Sequence, residues 1–297
     1  MSPNYQVSPP TRPRTRRVMR RNRAGCLSLL FAVLVACGMF SALYFVFVPS
    51  HIDILILGVD ARPGEGYVTR TDSIMIAGVQ PRAFRVNLLS IPRDLFVDTP
   101  GFGVQRVNTI NVLGEMEYPG GGIDLLRGAL AQSFGITPER YIRLNFEAFV
   151  SVVDAVGGVD IEVERRIVDS NYPTEDGGVQ TVVFEPGWQH MNGQTALVYA
   201  RTRYSDDDYF RAGRQQQVID AVMRKLVNPL VWIPAFVALE SSTDSDLNIL
   251  DYMLIAPAVL LGGRERLVVD RDYITPISGG AAPDYLKLAP WLEGRFD

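Results

Sequence analysis

The sequence predicts an α/β fold: a three-layer α/β/α domain with a central mixed sheet, preceded by one transmembrane helix. Three observations carry this expectation. An uncharged apolar run lies near the N-terminus, β-rich runs then alternate with amphipathic stretches, and no internal repeat or second-domain linker interrupts the 297 residues. At 47% hydrophobic content the chain can bury one large core, so disorder is expected only at its ends.

The stretch Cys26–Val48 contains no charged residue and is dominated by Leu, Val, Phe and Ala. As a helix its 23 positions span roughly 35 Å, enough for a hydrocarbon core of about 30 Å. Seven arginines and no acid occupy residues 1–24, so the positive-inside rule places that end in the cytoplasm and residues 49–297 outside the cell. The domain plan is therefore an Arg-rich disordered tail over 1–23, a transmembrane helix over 24–48 and an extracellular domain over 49–297. A cleaved signal peptide is the alternative, and Leu34-Val35-Ala36-Cys37 would pass as a lipidation box. The apolar run continues beyond Cys37 through Phe40, Leu43, Phe45 and Val48, which favours a retained anchor.

Subtracting the seven arginines from the net charge of −4 leaves −11 for the rest, an acidic balance that disfavours nucleic-acid binding. Both cysteines, Cys26 and Cys37, lie in the apolar run, which excludes disulfides and thiolate metal sites from the domain. The two histidines are His51 and His190, and no Walker A, HExxH or GxSxG pattern occurs.

Strands are expected at 51–57, 73–79 and 84–91, the last two joined by a Gln-Pro-Arg turn. Helices follow at 123–134, ending at Gly135, and at 146–156, ending at Gly157-Gly158. Further strands are expected near 140–144, 159–163, 180–185 and 266–270, and helices near 192–200, 207–226 and 247–261.

Chemistry concentrates at strand ends. Asp60 follows the first strand and Asp72 precedes the second, across the loop GVDARPGEGYVTRTD. If the strands are neighbours, the carboxylates converge at one sheet edge. Such a pair suits Mg²⁺, which keeps several waters and completes its octahedron with phosphate oxygens. Turn or capping roles explain two such aspartates equally well. Arg93 and Asp94 follow the third strand, Arg106 follows in QRVNTIN, and Arg201, Arg203, Arg211 and Arg214 punctuate ARTRYSDDDYFRAGRQQ. Arg211 and Arg214 share a helix face that continues through Val218 and Val222. Guanidinium forks at a helix N-terminus suit a pyrophosphate. Pairing with Asp206, Asp207 and Asp208 is the structural alternative. A phosphate site outside the cell points to an exported substrate carried on lipid, whose tail needs an apolar channel; Leu126, Leu130, Phe134, Phe146, Phe149, Val150 and Val153 stand out for it, although closed core suits most of them better. Gly120-Gly121-Gly122 reads as a turn before a helix, or as a phosphate cradle.

GVDARPGEGYVTRTDSIMI, LLSIPRD, RVNTIN, DAVGGVDIEV and ARTRYSDDDYFRAGRQQQVI occur in the order seen in the LytR-CpsA-Psr family, and the chain resembles that family over about residues 52–226. The resemblance implies a membrane-anchored phosphotransferase. It would move a glycopolymer, of the teichoic acid or capsule kind, from a polyprenyl-pyrophosphate carrier to a peptidoglycan hydroxyl, with Mg²⁺ or Mn²⁺ assisting. Carried over by motif, Asp60 and Asp72 are metal-associated, and Arg93, Arg201, Arg203 and Arg214 bind pyrophosphate with Gln215 beside them. Arg106 stands where the family often has Lys, and Asp208 with Arg211 matches an acidic DxxR segment. In that chemistry Asp94 either orients or deprotonates the acceptor hydroxyl, or holds Arg93 in place. Two other classes share these residues: a hydrolase of the same lipid, and a membrane-anchored sensory or binding module.

Overall fold

The computed structural model describes residues 23–60, 66–174, 177–202 and 208–296. The expected tail over 1–23 lies, apart from Arg23, outside the described residues. Helix α1 (Arg23–Phe47) contains an apolar span of 20 residues, Ser28–Phe47, long enough to cross a bilayer. Residues from Val48 onward form a separate compact unit.

That unit opens with an antiparallel meander of β1 (Ile52–Val59), β2 (Thr71–Gln80) and β3 (Arg85–Ile91). The Gln-Pro-Arg turn is a 3₁₀ turn over Pro81–Ala83, closed by Phe84 at φ 50°. A hairpin of β4 (Phe96–Thr99) and β5 (Gly103–Arg106) leads into α2 (Val107–Glu117) and α3 (Gly121–Phe134). Next come β6 (Arg140–Leu144), α4 (Phe146–Ala155) and β7 (Val159–Val163), and a hairpin of β8 (Ile167–Pro173) with β9 (Val179–Phe184). Strand β10 (Gly187–Met191) returns to pair with β7, and α5 (Gly193–Arg201) and α6 (Asp208–Lys225) follow. The chain ends with α7 (Trp232–Ser242), β11 (Asp244–Ser245), α8 (Ile249–Leu261), β12 (Gly263–Val268), the hairpin β13 (Ile274–Ile277) and β14 (Gly280–Pro283), and α9 (Tyr285–Leu292).

The main sheet has the order β11-β6-β1-β2-β3-β12, with parallel pairs β1–β6 and β3–β12 among antiparallel neighbours. It is the expected mixed sheet, covered on both faces. Leu55 and Leu57 of β1 join Ile74, Ile76, Leu89 and Ile91 in a core with helices α2, α3 and α9. Ile52 and Ile54 face the other way, with Met75, Val79, Val86 and Leu88, into a core shared with α6 and α8. Burial of both faces explains why β1 reads as a nearly continuous apolar run. A third cluster joins β7, β10, α5 and α6.

The elements with no counterpart in the sequence reading are α2, α7, α9, the strands β8, β10 and β11, and the hairpins β4–β5 and β13–β14. Helix α2, VNTINVLGEME, has few strong helix formers and no side-chain cap. Its first amides donate instead to the chain before it, Val107 N to Leu95 O (2.8 Å) and Asn108 N to Arg93 O (3.2 Å). The three glycines at 120–122 have a packing explanation. Gly120 takes φ 87° ahead of α3, while a Cβ on Gly121 or Gly122 would meet Gly114 O at 2.3 Å or Asn111 Oδ1 at 2.6 Å. The C-terminus closes one face of the sheet: Leu288, Leu292 and Phe296 enter the core, and Gly78 leaves room for the Arg295 carbonyl and the Phe296 ring.

Two changes test this packing. Gly114→Ala places a Cβ 2.2 Å from Gly121 O, backbone against backbone, and is expected to lower stability by about 3 kcal/mol in thermal or urea unfolding. Asp251 caps α8 in a reciprocal box with Asn248 and binds Arg140 Nε at 2.8 Å. Burial raises its pKa, but the bonds from Arg140 and the Asn248 amide outweigh that and hold it below the usual carboxylate value. The stabilisation is therefore present above the unfolded value near pH 3.9 and is lost as the pH falls below it. Asp251→Asn is expected to cost about 2 kcal/mol at pH 7 and to reduce the acid dependence of the melting temperature below pH 4.

Candidate functional site

The site is built at the end of the sheet where β1 finishes and β2 begins. Gly58 pairs with Ser73 and Val59 with Thr71, so Asp72 is an extra residue in a β-bulge. In a regular strand Asp72 and Ser73 would point to opposite faces. Here both line one cavity of about 440 Å³ on the α6 side of the sheet. Gly58 permits this arrangement, because a Cβ there would stand 3.0 Å from Ser73 Cβ.

The cavity has two chemical zones. Ile56, Ile142, Phe149, Val153, Val218, Val222 and Leu239 contribute apolar wall, and Asp72, Ser73, Arg201, Arg211 and Gln215 contribute polar groups. Ser73 Oγ donates to Gln215 Oε1 at 2.8 Å, joining the bulge to α6. Arg201, the last residue of α5, lies over the Phe146 ring at 4.0 Å and near the Tyr172 ring at 5.8 Å. Stacking occupies the flat face of the guanidinium and leaves its edge N–H groups for acceptors. Burial pushes the Tyr172 phenol above its ordinary pKa, although the cation of Arg201 opposes this, so the phenol stays neutral at physiological pH.

Arg93 extends the polar end. Its Nη1 donates to Asp72 Oδ1 at 2.8 Å, and Asp94 lies between Arg93 Nε (3.7 Å) and Arg106 Nη1 (3.9 Å). Arg106 also covers the Phe96 ring at 5.3 Å. Arg93, Asp94 and Arg106 thus form a charged chain leading away from Asp72.

The segment before Asp72 is held from below by Arg143, which is only 3% exposed. Its Nη1 binds Glu115 Oε1 (2.7 Å) and Asn111 Oδ1 (3.0 Å), and its Nη2 and Nε bind Asp244 Oδ2 at 2.7 and 3.0 Å. The Tyr67 ring covers the guanidinium at 3.9 Å. Asn111 Nδ2 then donates to Tyr67 O and Thr69 O, both at 2.8 Å. Sequence reasoning missed this clamp. The RVNTIN motif, to which Asn111 belongs, was its visible signal.

Asp72, Arg201, Arg211 and Gln215 meet at the cavity. Arg214 turns to the end of α5, donating from Nε to Tyr199 O (3.2 Å) and from Nη2 to Thr202 O. Arg203 lies outside the described residues, as do Asp206 and Asp207. Asp60 is exposed just beyond β1, where Thr69 Oγ1 donates to its carbonyl at 3.3 Å. Of the apolar candidates, Phe146, Phe149 and Val153 line the cavity, and Val150 lines an adjoining groove. Leu126, Leu130 and Phe134 belong to closed core on the opposite face. Ser73, Asp169, Asn171 and Tyr172 are lining residues that the sequence did not single out.

The donor set is compatible with a hard divalent cation. Asp60 and Asp72 offer carboxylate oxygens at the same sheet end, and among the described residues no group of three or more His, Cys, Asp or Glu converges to make an all-protein cage. Mg²⁺ suits such a sparse set, because it usually retains waters and takes substrate phosphate oxygens.

The LytR_cpsA_psr family model matches residues 48–258. The chain belongs to this family. It is 32% identical over 176 residues to the polyisoprenyl-teichoic acid–peptidoglycan teichoic acid transferase TagU of Oceanobacillus iheyensis, covering 59% of this chain and 51% of the relative. It is 33% identical over 182 residues to the regulatory protein MsrR of Staphylococcus aureus, covering 60% and 50%. With TagT of Bacillus subtilis, a teichoic acid transferase of the same name class, the identity is 31% over 190 residues, covering 63% and 56%. The chain therefore spans about half the length of these curated relatives. Among solved structures, Bacillus subtilis TagV superposes with a TM-score of 0.64 at 22% identity, covering 81% of this chain and 94% of that one. TagT bound to LIIa-WTA gives 0.61 at 22%, covering 82% and 88%. These two likenesses establish that the LytR-CpsA-Psr fold is shared.

The clamp has a direct test. Asn111→Ala strips partners from two backbone carbonyls and one buried guanidinium, and is expected to cost roughly 2–4 kcal/mol. Limited proteolysis of the variant should gain cuts around Tyr67–Thr69 before the domain unfolds.

Proposed function

We propose that this protein is a membrane-anchored phosphotransferase that moves a glycopolymer from a polyprenyl-pyrophosphate carrier to a peptidoglycan hydroxyl, forming a phosphodiester. The observation that carries this reading is the two-zone cavity: an apolar interior for a prenyl chain, bordered by Arg201, Arg211, Asp72, Ser73 and Gln215 for its pyrophosphate. The transferase names of TagU and TagT support it. In this reading α1 is a single-pass anchor with the Arg-rich tail in the cytoplasm, and the cavity-bearing domain faces the cell wall.

The acceptor oxygen attacks the sugar-linked phosphorus, the phosphoanhydride bond to the other phosphorus breaks, and polyprenyl monophosphate leaves. Arg201 and Arg211 bind the anionic oxygens, and the Phe146–Tyr172 stack fixes the approach of Arg201. Arg203, Arg214 and Gln215 complete the proposed pyrophosphate set. In this assignment Arg214 acts through the α5 carbonyls that it binds, and Gln215 through Ser73. Arg93 orients Asp72, and Asp94 holds Arg93 and Arg106 in register. Asp60 and Asp72 would hold Mg²⁺ or Mn²⁺, which supplies charge neutralisation for the departing phosphate. A hydrolase acting on the same lipid shares all of these residues and differs only in taking water as the acceptor.

The test is transfer from polyprenyl-pyrophosphate oligosaccharide to peptidoglycan oligomers by the full chain, followed by mass spectrometry. Arg201→Ala and Asp72→Ala are each expected to lower kcat/KM by about 10²–10³-fold, and Asp94→Asn by less than about tenfold. EDTA should abolish transfer, and Mg²⁺ should restore it. Glycan released only into water would assign the hydrolase, and binding without turnover would assign the sensory module.

A further inference from the structure

The segment joining α6 to α7 has no role in the transfer chemistry, and its surface chemistry is unusual for an acidic exterior domain. Residues 226–239, LVNPLVWIPAFVAL, are fourteen in a row without charge, directly after Arg224 and Lys225. Leu226, Val231 and Ala235 pack partly against the domain core and Leu239 lines the cavity, but the remaining large apolar side chains face outward. Leu230 is 83% exposed and Ile233 78%, with Trp232, Phe236 and Val237 also exposed. Phe236 meets Tyr252 of α8 edge-on at 5.4 Å, and α8 adds exposed Met253. Isolated exposed apolar residues are ordinary, but a contiguous apolar face on one helix and its approach is a contact surface.

We propose that this face, centred on Leu230, Trp232 and Ile233, rests in the interfacial layer of the lipid bilayer. Three observations select a bilayer as the occupant. The chain carries an apolar helix of membrane-spanning length, and only Val48–His51 connect it to β1, a reach of at most about 14 Å. The face begins at the matching end of the domain: Met223, in the last turn of α6, shares a buried cluster with Ile52, where β1 starts. The composition is that of an interfacial element, with an indole, branched aliphatics and basic residues at its border. The Trp232 indole N–H donates to Leu226 O at 2.6 Å, which fixes the ring on the surface.

The same element forms part of the cavity. Leu239 of α7 lines it beside Val222 and Met223 of α6, while Asp72 and Arg201 contribute its polar groups. On the function proposed above, a bilayer-seated α7 lets a prenyl chain pass from lipid into the cavity along the α6–α7 wall without crossing water.

Tryptophan quenching tests the docking without requiring turnover. The chain has three tryptophans, Trp188, Trp232 and Trp291, and none lies in α1. The full chain is placed in phosphatidylcholine–phosphatidylglycerol vesicles with and without bromine on the upper acyl carbons. Brominated lipid is expected to quench emission. Trp232→Phe should remove at least about half of the bromine-dependent loss, whereas Trp188→Phe should leave it intact. The double change Leu230→Glu/Ile233→Glu, at highly exposed positions, should abolish the quenching at unchanged Tm. Quenching left undiminished by Trp232→Phe, or its absence in well-inserted protein, overturns the proposal. A face covered by a protein partner or a second copy gives that last result. Loss of transferase activity with quenching intact would count against the proposed function alone.

Discussion

A buried guanidinium organises the cavity end of this domain. Arg143 leaves β6 beneath the β1–β2 connection, and taking its charge out of water is tolerable only because Glu115, Asp244 and Asn111 supply acceptors on every side. Those partners come from α2 and β11, so one cation ties a helix and an edge strand to the central sheet. Asn111 passes the constraint to the backbone that precedes Asp72. The position of the carboxylate therefore depends on a network that does not itself touch the cavity. Tyr141, one residue pair away on the same strand, binds Asp244 Oδ1, and its phenol is pushed up to about 12 by burial first and by the nearby carboxylate second. It remains a neutral donor across the physiological range.

On the proposed function the cavity has two demands to reconcile that normally oppose each other: an apolar chain requires dry walls, and a pyrophosphate requires several cations. The structure separates them along a single element. Helix α6 presents Arg211 and Gln215 in its first half and Val218, Val222 and Met223 towards its end, so its axis carries the change from charge to hydrocarbon. Across from it, the bulge at Asp72 turns two successive side chains of β2 into the same space. Among the described residues Arg201 is held by ring stacking rather than by a carboxylate, which suits it to an incoming anion.

Much of the architecture was legible in the sequence. The strands at 52–59, 71–80 and 85–91 and helices α3, α4, α5, α6 and α8 follow from apolar period and from glycine stops, since these signals are local. The elements that escaped are those whose stability comes from elsewhere in the chain. Helix α2 is capped by loop carbonyls rather than by its own residues, and α9 is held by core contacts across Gly78. The triple glycine looked like a turn or a phosphate cradle, and packing of α2 on α3 is what uses it.

By itself, the sequence determined the N-terminal apolar helix, the alternation of strands and helices, the family and the residue types able to bind a pyrophosphate. Each of these depends on local pattern, on composition or on motifs in order. Tertiary structure alone decided which helix lies on which face of the sheet. That placed Phe146, Phe149 and Val153 at the cavity while Leu126, Leu130 and Phe134, of similar chemistry and spacing, became sealed core. It also decided that Asp72 is a bulge residue and that Arg214 serves the end of α5. The physical reason is that helical and strand periods state only which side of an element is apolar. What that side meets is set by sheet order and register, through contacts between segments far apart in the chain.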